Sequence, residues 1–102
     1  MQDNQALIVV DVQKDFLETG ALPVKEGSQV VPVINRIIPK FKNVVFTQDW
    51  HPEGHISFAS SHPGEALYSM IDVSYGKQVL WPEHCVQNTT GAEFADGLNT
   101  EN

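Results

Sequence analysis

The chain has 102 residues, of which 41% are hydrophobic, and a formal net charge of −7 from 13 acidic and 6 basic residues. This length suits one small domain, and this hydrophobic content separates the chain from disordered segments. The acidic balance disfavours a nucleic-acid partner, which would need a basic surface. No apolar run approaches the ~20 residues that a membrane span needs, so we expect no membrane insertion.

The N-terminus and the cysteine content indicate the cellular compartment. No basic region followed by an apolar stretch and a cleavage site is visible, so we expect no secretory signal. Cys85 is the single cysteine, which excludes an internal disulfide and suits the cytosol. We therefore predict a cytoplasmic protein.

The first predicted elements are a strand and a helix. Residues 6–10 form a continuous apolar run, typical of a buried parallel strand, and Asp11 follows its carboxyl end. Residues 30–41 then place apolar side chains at helical spacing, with Ser28 as the candidate N-cap. Pro39 should kink or end this helix.

A second continuous apolar run, residues 44–47, predicts another buried strand. Strand, helix and strand together indicate a βαβ unit with a right-handed crossover. Asp49 and His51 follow the second strand, at the strand end where ligands bind in open α/β sheets. On an extended segment both side chains can point to one side. An Asp-x-His motif without further ligands is, however, more often a solvated acid and a surface histidine.

The remaining sequence is rich in turns. Residues 52–68 predict a functional loop, residues 69–73 and 77–81 short extended pieces, and residues 96–102 a polar loop. Two parallel strands are too few for an independent sheet, and such a sheet needs cover on both faces. We therefore expect residues 1–102 to be the N-terminal portion of one α/β domain. The alternative is that another chain completes the sheet, for example in a homo-oligomer.

Histidines and an acid indicate a metal site. Asp49, His51 and His84 offer one oxygen and two nitrogen ligands, and three protein ligands are typical of a catalytic site. His55 is a candidate fourth ligand or a group that holds water beside the metal. We predict a divalent ion, zinc first, with iron or manganese as alternatives that suit the same donors. Each histidine alone could be a surface or structural residue, which is our interpretation of His62.

Four other residues carry two interpretations each. Asp11 either stabilises a turn, the commoner role, or acts as a general base at the sheet edge. Phe16 and Trp81 could wall an aromatic pocket, although aromatics near strand ends usually belong to the core. Cys85 could be a nucleophile, but it directly follows a predicted metal ligand, so we expect its side chain to point away from the site and to pack in the interior.

Four segments together resemble a known family. They are residues 9–16 (VVDVQKDF), 47–52 (TQDWHP), 55–58 (HISF) and 80–86 (LWPEHCV). The chain resembles the nicotinamidases (pyrazinamidases) of the isochorismatase-like cysteine hydrolases. The resemblance implies a Rossmann-like α/β/α sandwich with a parallel six-stranded sheet, of which this chain would contain the first βαβ unit and the metal-site loops. It also implies hydrolysis of nicotinamide to nicotinate and ammonia in NAD salvage, with nicotinamide or pyrazinamide as the small-molecule substrate.

The resemblance assigns roles to individual residues. Asp11 falls on the catalytic aspartate, which takes the proton from a nucleophilic cysteine. Phe16 and Trp81 fall on the residues that sandwich the pyridine ring. The residues that fall on the metal ligands are Asp49, His51 and His84. The metal is expected to hold the pyridine nitrogen and ordered water.

The family's triad of Asp, Lys and Cys is matched only at its first member. Lys77 comes too early to be the lysine, and Cys85 matches a non-catalytic cysteine beside the metal histidine. We therefore expect the 102-residue chain alone to be inactive. Two alternatives stay open: a non-catalytic remnant that binds metal or a pyridine, and a different metal-dependent amidase in which metal-bound water attacks the substrate.

Overall fold

The computed structural model describes residues 4–101 and begins with one βαβ unit. Strand β1 spans Ala6–Val9, helix α1 spans Val30–Ile37, and strand β2 spans Asn43–Phe46. The two strands pair in parallel, with Ala6 opposite Asn43 and Val9 opposite Phe46. The predicted α/β unit is confirmed: β1 ends one residue earlier than predicted, and β2 begins and ends one residue earlier than predicted.

Helix α1 is bounded on both sides by 3₁₀ turns, Gly27–Gln29 and Ile38–Lys40. Pro39 lies in the second turn, so the prediction that it ends the α-helix is confirmed. The predicted capping role of Ser28 is wrong, because its hydroxyl donates to Glu18 Oε2 at 2.6 Å and its N–H donates to Glu18 Oε1 at 3.1 Å. The Glu18 carboxylate therefore caps the turn, and the Ser28 hydrogen bond lowers the pKa of that carboxyl.

The main core lies between α1 and one face of the parallel sheet. Val9 is buried, whereas its neighbours Ile8 and Val10 are 60% and 65% exposed, because side chains alternate across a strand. The buried residues of this core are Val9, Val12, Val31, Ile34, Ile38, Ala95 and Leu98. Ala95 and Leu98 come from the end of the chain, so this segment closes the core beside the helix.

The second half of the chain contains an antiparallel hairpin of β3, Met70–Val73, and β4, Gly76–Val79. This confirms the two predicted extended pieces with small shifts in their ends. The loop before the hairpin is anchored at Phe58, which is fully buried and pairs with Trp81 in a short parallel bridge. Among residues 4–101, no helix combines the length and the apolar character that crossing a membrane requires.

Candidate metal centre

Two loops bring the predicted metal ligands together. Asp49 and His51 follow β2, and His84 lies in a loop beyond β4. The His51 N–H donates to the Cys85 carbonyl at 2.8 Å, and the His51 carbonyl accepts from the Gln87 N–H at 2.8 Å. Backbone pairing therefore places the loop after β2 directly beside the loop that carries His84.

The three side chains form one cluster, with their candidate ligand atoms all within 4.8 Å of one another. His51 Nε2 lies 3.4 Å from Asp49 Oδ1, and His84 Nε2 lies 3.6 Å from Asp49 Oδ2. His84 is buried and the other two are partly buried. One carboxylate and two imidazoles suit zinc, iron or manganese, so the donor set fits a divalent ion.

Backbone carbonyls orient both histidines. His51 Nδ1 lies 3.0 Å from the His84 carbonyl oxygen, and His84 Nδ1 lies 2.7 Å from the Pro82 carbonyl oxygen. Because a carbonyl oxygen can only accept, each Nδ1 carries the proton and donates it. Each Nε2 then presents its lone pair towards Asp49, which is the arrangement that metal-binding histidines need.

His55 lies beside the cluster and is not one of its three members. Its ring centroid is 4.8 Å from that of His51. The Ser57 N–H donates to His55 Nδ1 at 3.1 Å, so the neutral imidazole carries its proton on Nε2. This tautomer favours the second predicted role, a hydrogen-bond donor beside the metal. His62 Nε2 instead bonds to the Ile56 carbonyl at 2.7 Å, as a structural histidine would.

Phe58 packs beneath the histidines, and the sequence analysis did not single it out. Its buried ring contacts those of His51 and His84 edge-on, with centroid distances of 5.1 and 5.6 Å. Such packing restricts the rotation of both imidazoles. A phenylalanine in a loop rich in proline and glycine has no periodic signal, so the sequence could not assign this contact.

Asp11 lies at the end of β1 in the left-handed conformation, with φ of +53°. Aspartate tolerates this conformation better than most residues. The Thr47 hydroxyl donates to Asp11 Oδ1 at 2.6 Å, and the Asp11 N–H donates back to Thr47 Oγ1 at 3.0 Å. Asp11 and Phe16 line one cavity of about 300 Å³. The Phe16 ring is 5.6 Å from that of His84, so Phe16 connects this cavity to the metal cluster.

The structure does not bring the two predicted ring-binding residues into contact. The Trp81 ring packs edge-on against Tyr68, with centroids 6.0 Å apart. Among the described residues, Phe16 and Trp81 share no ring contact. The Phe16 ring contacts His84, whereas the Trp81 ring contacts Tyr68 and its backbone pairs with Phe58.

Cys85 is completely buried, as predicted. Burial is the main cause that raises the pKa of its thiol to about 12, and the nearby charges of Asp49, Asp15 and Asp11 add to this. A thiol with this pKa is protonated at neutral pH and is a poor nucleophile. Cys85 is therefore a packing residue.

Two further polar residues of the loop after β1, Gln13 and Asp15, bond to the backbone of the ligand-bearing loops. The sequence analysis missed them as site residues. No local period signals them, because Asp11 has a left-handed backbone and Asp15 lies in the 3₁₀ turn Lys14–Phe16.

Comparison with known proteins identifies relatives of this chain. The family model described as isochorismatase domain matches residues 5–102. The chain is 50% identical over 97 residues to a nicotinamidase of Acinetobacter baylyi, covering 95% of this chain and 45% of the relative. It is 45% identical over 94 residues to a nicotinamidase of Escherichia coli, covering 88% and 44%. The chain thus spans about half the length of the curated relatives that it matches.

Solved structures agree with these matches. A nicotinamidase–pyrazinamidase of Acinetobacter baumannii superimposes with a TM-score of 0.93 at 50% identity, covering 97% of this chain and 48% of the other. The yeast nicotinamidase bound to the inhibitor nicotinaldehyde has a TM-score of 0.81 at 35% identity, with 90% and 49% coverage. The Pyrococcus horikoshii pyrazinamidase in complex with zinc has a TM-score of 0.68 at 47% identity, with 93% and 46% coverage.

Proposed function

Because the chain belongs to the isochorismatase family, we propose that it carries the metal site and the proton acceptor of a nicotinamidase. This enzyme would hydrolyse nicotinamide to nicotinate and ammonia, and its product would feed NAD salvage in the cytoplasm. One observation carries the proposal: Asp49, His51 and His84 converge within 4.8 Å, beside the Phe16 ring. The similarity to proteins named nicotinamidase supports the choice of reaction.

Asp49, His51 and His84 would hold a divalent ion, with zinc as the first candidate and iron or manganese as alternatives. A bound ion supplies a Lewis acid that can hold the ring nitrogen of the substrate. The zinc complex of a similar pyrazinamidase supports this choice. His55, with its proton on Nε2, would donate a hydrogen bond to water at the site.

Asp11 would act as the proton acceptor. In the proposed reaction Asp11 takes the proton of a thiol other than the buried Cys85, and the thiolate attacks the carboxamide carbon. The same proton passes to the leaving nitrogen, so ammonia departs, and water hydrolyses the thioester to nicotinate and restores the thiol. The Thr47 hydroxyl is bonded to Asp11 Oδ1, so we expect Oδ2 to take the thiol proton. Phe16 lines the same cavity as Asp11 and would stack on the pyridine ring, with Trp81 as the second wall.

The test is ammonia release from nicotinamide by the full-length enzyme that we propose contains this segment, before and after chelation and after zinc is restored. We expect chelation to abolish the rate and zinc to restore it. Asp11→Asn keeps an oxygen for the Thr47 hydroxyl but cannot take a proton, so we expect kcat to fall about 10²–10⁴-fold. Asp72→Asn, at an exposed hairpin position paired with Lys77, is the matched control and should leave the rate unchanged. An undiminished rate in Asp11→Asn, or no release at all from nicotinamide by that full-length enzyme, would refute the proposal.

A second candidate function is binding without turnover. Cys85 is the single cysteine of the chain and its thiol is buried, so the 102-residue chain could bind a metal and a pyridine carboxamide and leave it intact. Binding of nicotinamide without ammonia release would favour this candidate. Ammonia release that survives thiol alkylation but stops with a chelator would instead favour an amidase that uses metal-bound water.

A further inference from the structure

The loop after β1 contacts both loops that carry metal ligands. We propose that Gln13 and Asp15 are positioning residues that set the geometry of the metal centre through the backbone of those loops. Gln13 holds the Asp49 loop, and Asp15 holds the His84 loop. This inference rests on the proposed function, because it presupposes that the cluster binds a metal ion.

Gln13 is fully buried and bonds both backbone polar groups of Asp49. Its Oε1 accepts from the Asp49 N–H at 2.8 Å, and its Nε2 donates to the Asp49 carbonyl at 2.8 Å. The Nε2 also donates to the Ala92 carbonyl at 2.8 Å. The Gln13 amide thus makes the two hydrogen bonds that the backbone of a neighbouring strand would make to Asp49. It thereby fixes the backbone from which the Asp49 carboxylate projects. A buried amide without hydrogen-bond partners would lower the stability of the folded state, so the Gln13 side chain is held in this position.

Asp15 acts on the other ligand-bearing loop. Its Oδ2 accepts from the Cys85 N–H at 2.8 Å. Cys85 is in the left-handed region, with φ of +48°, and directly follows His84. A residue of this kind keeps such a conformation only when its surroundings hold it there. The Cys85 carbonyl accepts from the His51 N–H, so Asp15 holds the backbone that joins the two histidine ligands.

Gly91 leaves the space that the Asp15 carboxylate occupies. A Cβ added at Gly91 would lie 2.1 Å from Asp15 Oδ2 and 2.3 Å from its carboxyl carbon, closer than real atoms approach. Gly91→Ala would therefore push the carboxylate away from Cys85 without altering Asp15 itself. This gives a way to disturb the proposed contact from the opposite side.

The test compares metal binding in the purified wild-type protein and four variants. The variants are Gln13→Glu, Asp15→Ala, Gly91→Ala and the control Lys14→Met. Gln13→Glu keeps the size of the side chain but places an oxygen against two carbonyl oxygens. Lys14 lies between the two positioning residues and forms an ion pair with Glu93 at 2.8 Å. The hydrogen bond to Glu93 raises the pKa of the Lys14 ammonium. This ion pair does not involve the backbone of Asp49 or of Cys85, so Lys14 is a suitable control.

Three quantities are measured for each protein. They are the Kd for Zn²⁺ in competition with a chromophoric chelator, the absorption spectrum of bound Co²⁺, and the melting temperature of the metal-free protein. We expect Gln13→Glu, Asp15→Ala and Gly91→Ala to bind Zn²⁺ about 10–100-fold more weakly, with an altered Co²⁺ spectrum. Lys14→Met should match the wild type in both metal measurements.

The outcomes separate positioning from general stability. If the variants melt at lower temperature but the folded protein keeps the wild-type Zn²⁺ affinity and Co²⁺ spectrum, the two residues are merely structural and the inference is wrong. If the wild-type protein itself binds neither ion, the metal part of the proposed function fails together with the inference. Asp15→Ala removes the acceptor of a partly exposed residue and decides the question if Gln13→Glu does not fold.

Discussion

Backbone carbonyls decide which nitrogen each histidine of the cluster can offer to a metal. The Pro82 and His84 carbonyl oxygens engage the Nδ1 atoms, and the Phe58 ring limits rotation of both imidazoles. The histidines therefore pay little conformational entropy on binding a metal, because their rotamers are already restricted. The donor set is formed by packing and hydrogen bonds within the chain.

We predict that His84→Ala abolishes stoichiometric zinc binding. The variant keeps Asp49 and His51, but two protein ligands do not make a zinc site of the usual kind. The measurement is the zinc content of the purified protein after dialysis against metal-free buffer. His62→Ala is the matched control and should retain one equivalent, because His62 bonds to the Ile56 carbonyl outside the cluster. One equivalent of zinc in His84→Ala would mean that another residue completes the site.

We predict that Cys85 resists alkylation in the native protein. Its thiol is fully buried, and at pH 8 a pKa of about 12 leaves roughly one thiol in 10⁴ ionised. Iodoacetamide labelling, followed by intact mass, should be slow in buffer and complete in denaturant. Thiolate appears only as the pH approaches the raised pKa, so native labelling should accelerate at strongly alkaline pH. Rapid native labelling at pH 8 would contradict the burial of this side chain.

At the scale of elements, α1 places two of its side chains in the buried core beside the sheet. Val31 and Ile34 point into the core, whereas Val33 is 44% exposed on the opposite side of the helix. The spacing of three to four residues between buried positions is the helical period that the sequence shows. The same helix therefore offers an internal comparison between a buried and an exposed aliphatic residue.

We predict that Ile34→Ala lowers the free energy of unfolding by about 2–5 kcal/mol, because it leaves a cavity between α1 and the strands. Urea denaturation followed by circular dichroism measures the change. Val33→Ala on the exposed face should change the free energy of unfolding by no more than about 0.5 kcal/mol. Equal effects of the two substitutions would show that α1 does not pack as described.

At the scale of the whole molecule, the parallel sheet is covered on one face. Ile8, Val10 and Val45 are each more than half exposed on the other face of the described sheet. Parallel sheets are normally covered on both faces. We therefore still predict that this face is covered by additional polypeptide or by a second copy of the chain, and a homo-oligomer also stays a prediction.

We predict that the 102-residue chain by itself releases no ammonia from nicotinamide. The reaction proposed above needs an activated thiol, and the single cysteine of this chain is buried with a raised pKa. A coupled ammonia assay measures the rate, with a full-length nicotinamidase such as that of Escherichia coli as positive control. Ammonia release by the chain alone, above the rate of its His84→Ala variant, would refute this prediction.

Local patterns in the sequence were enough to place the βαβ unit and the hairpin. A continuous apolar run indicates a strand buried on both faces, and apolar residues at helical spacing indicate a helix buried on one face. Both patterns can be recognised from residues that are close together in the sequence. The three clustered metal ligands were predicted for a similar reason, since residue type and position after a strand are both visible in the chain. The cap at Ser28 failed because Glu18, ten residues earlier, captures its hydroxyl.

The remaining features depend on contacts between distant residues. Gln13 and Asp49 are 36 residues apart, and Asp15 and Cys85 are 70 apart, so no local period relates them. How the loops pack also decides which nitrogen of each imidazole is protonated, the left-handed backbone at Cys85 and the contact between Trp81 and Tyr68. Residue types alone therefore indicate which atoms can bind a metal, whereas the folded backbone sets their direction and spacing, because hydrogen bonds across the fold hold each ligand in place.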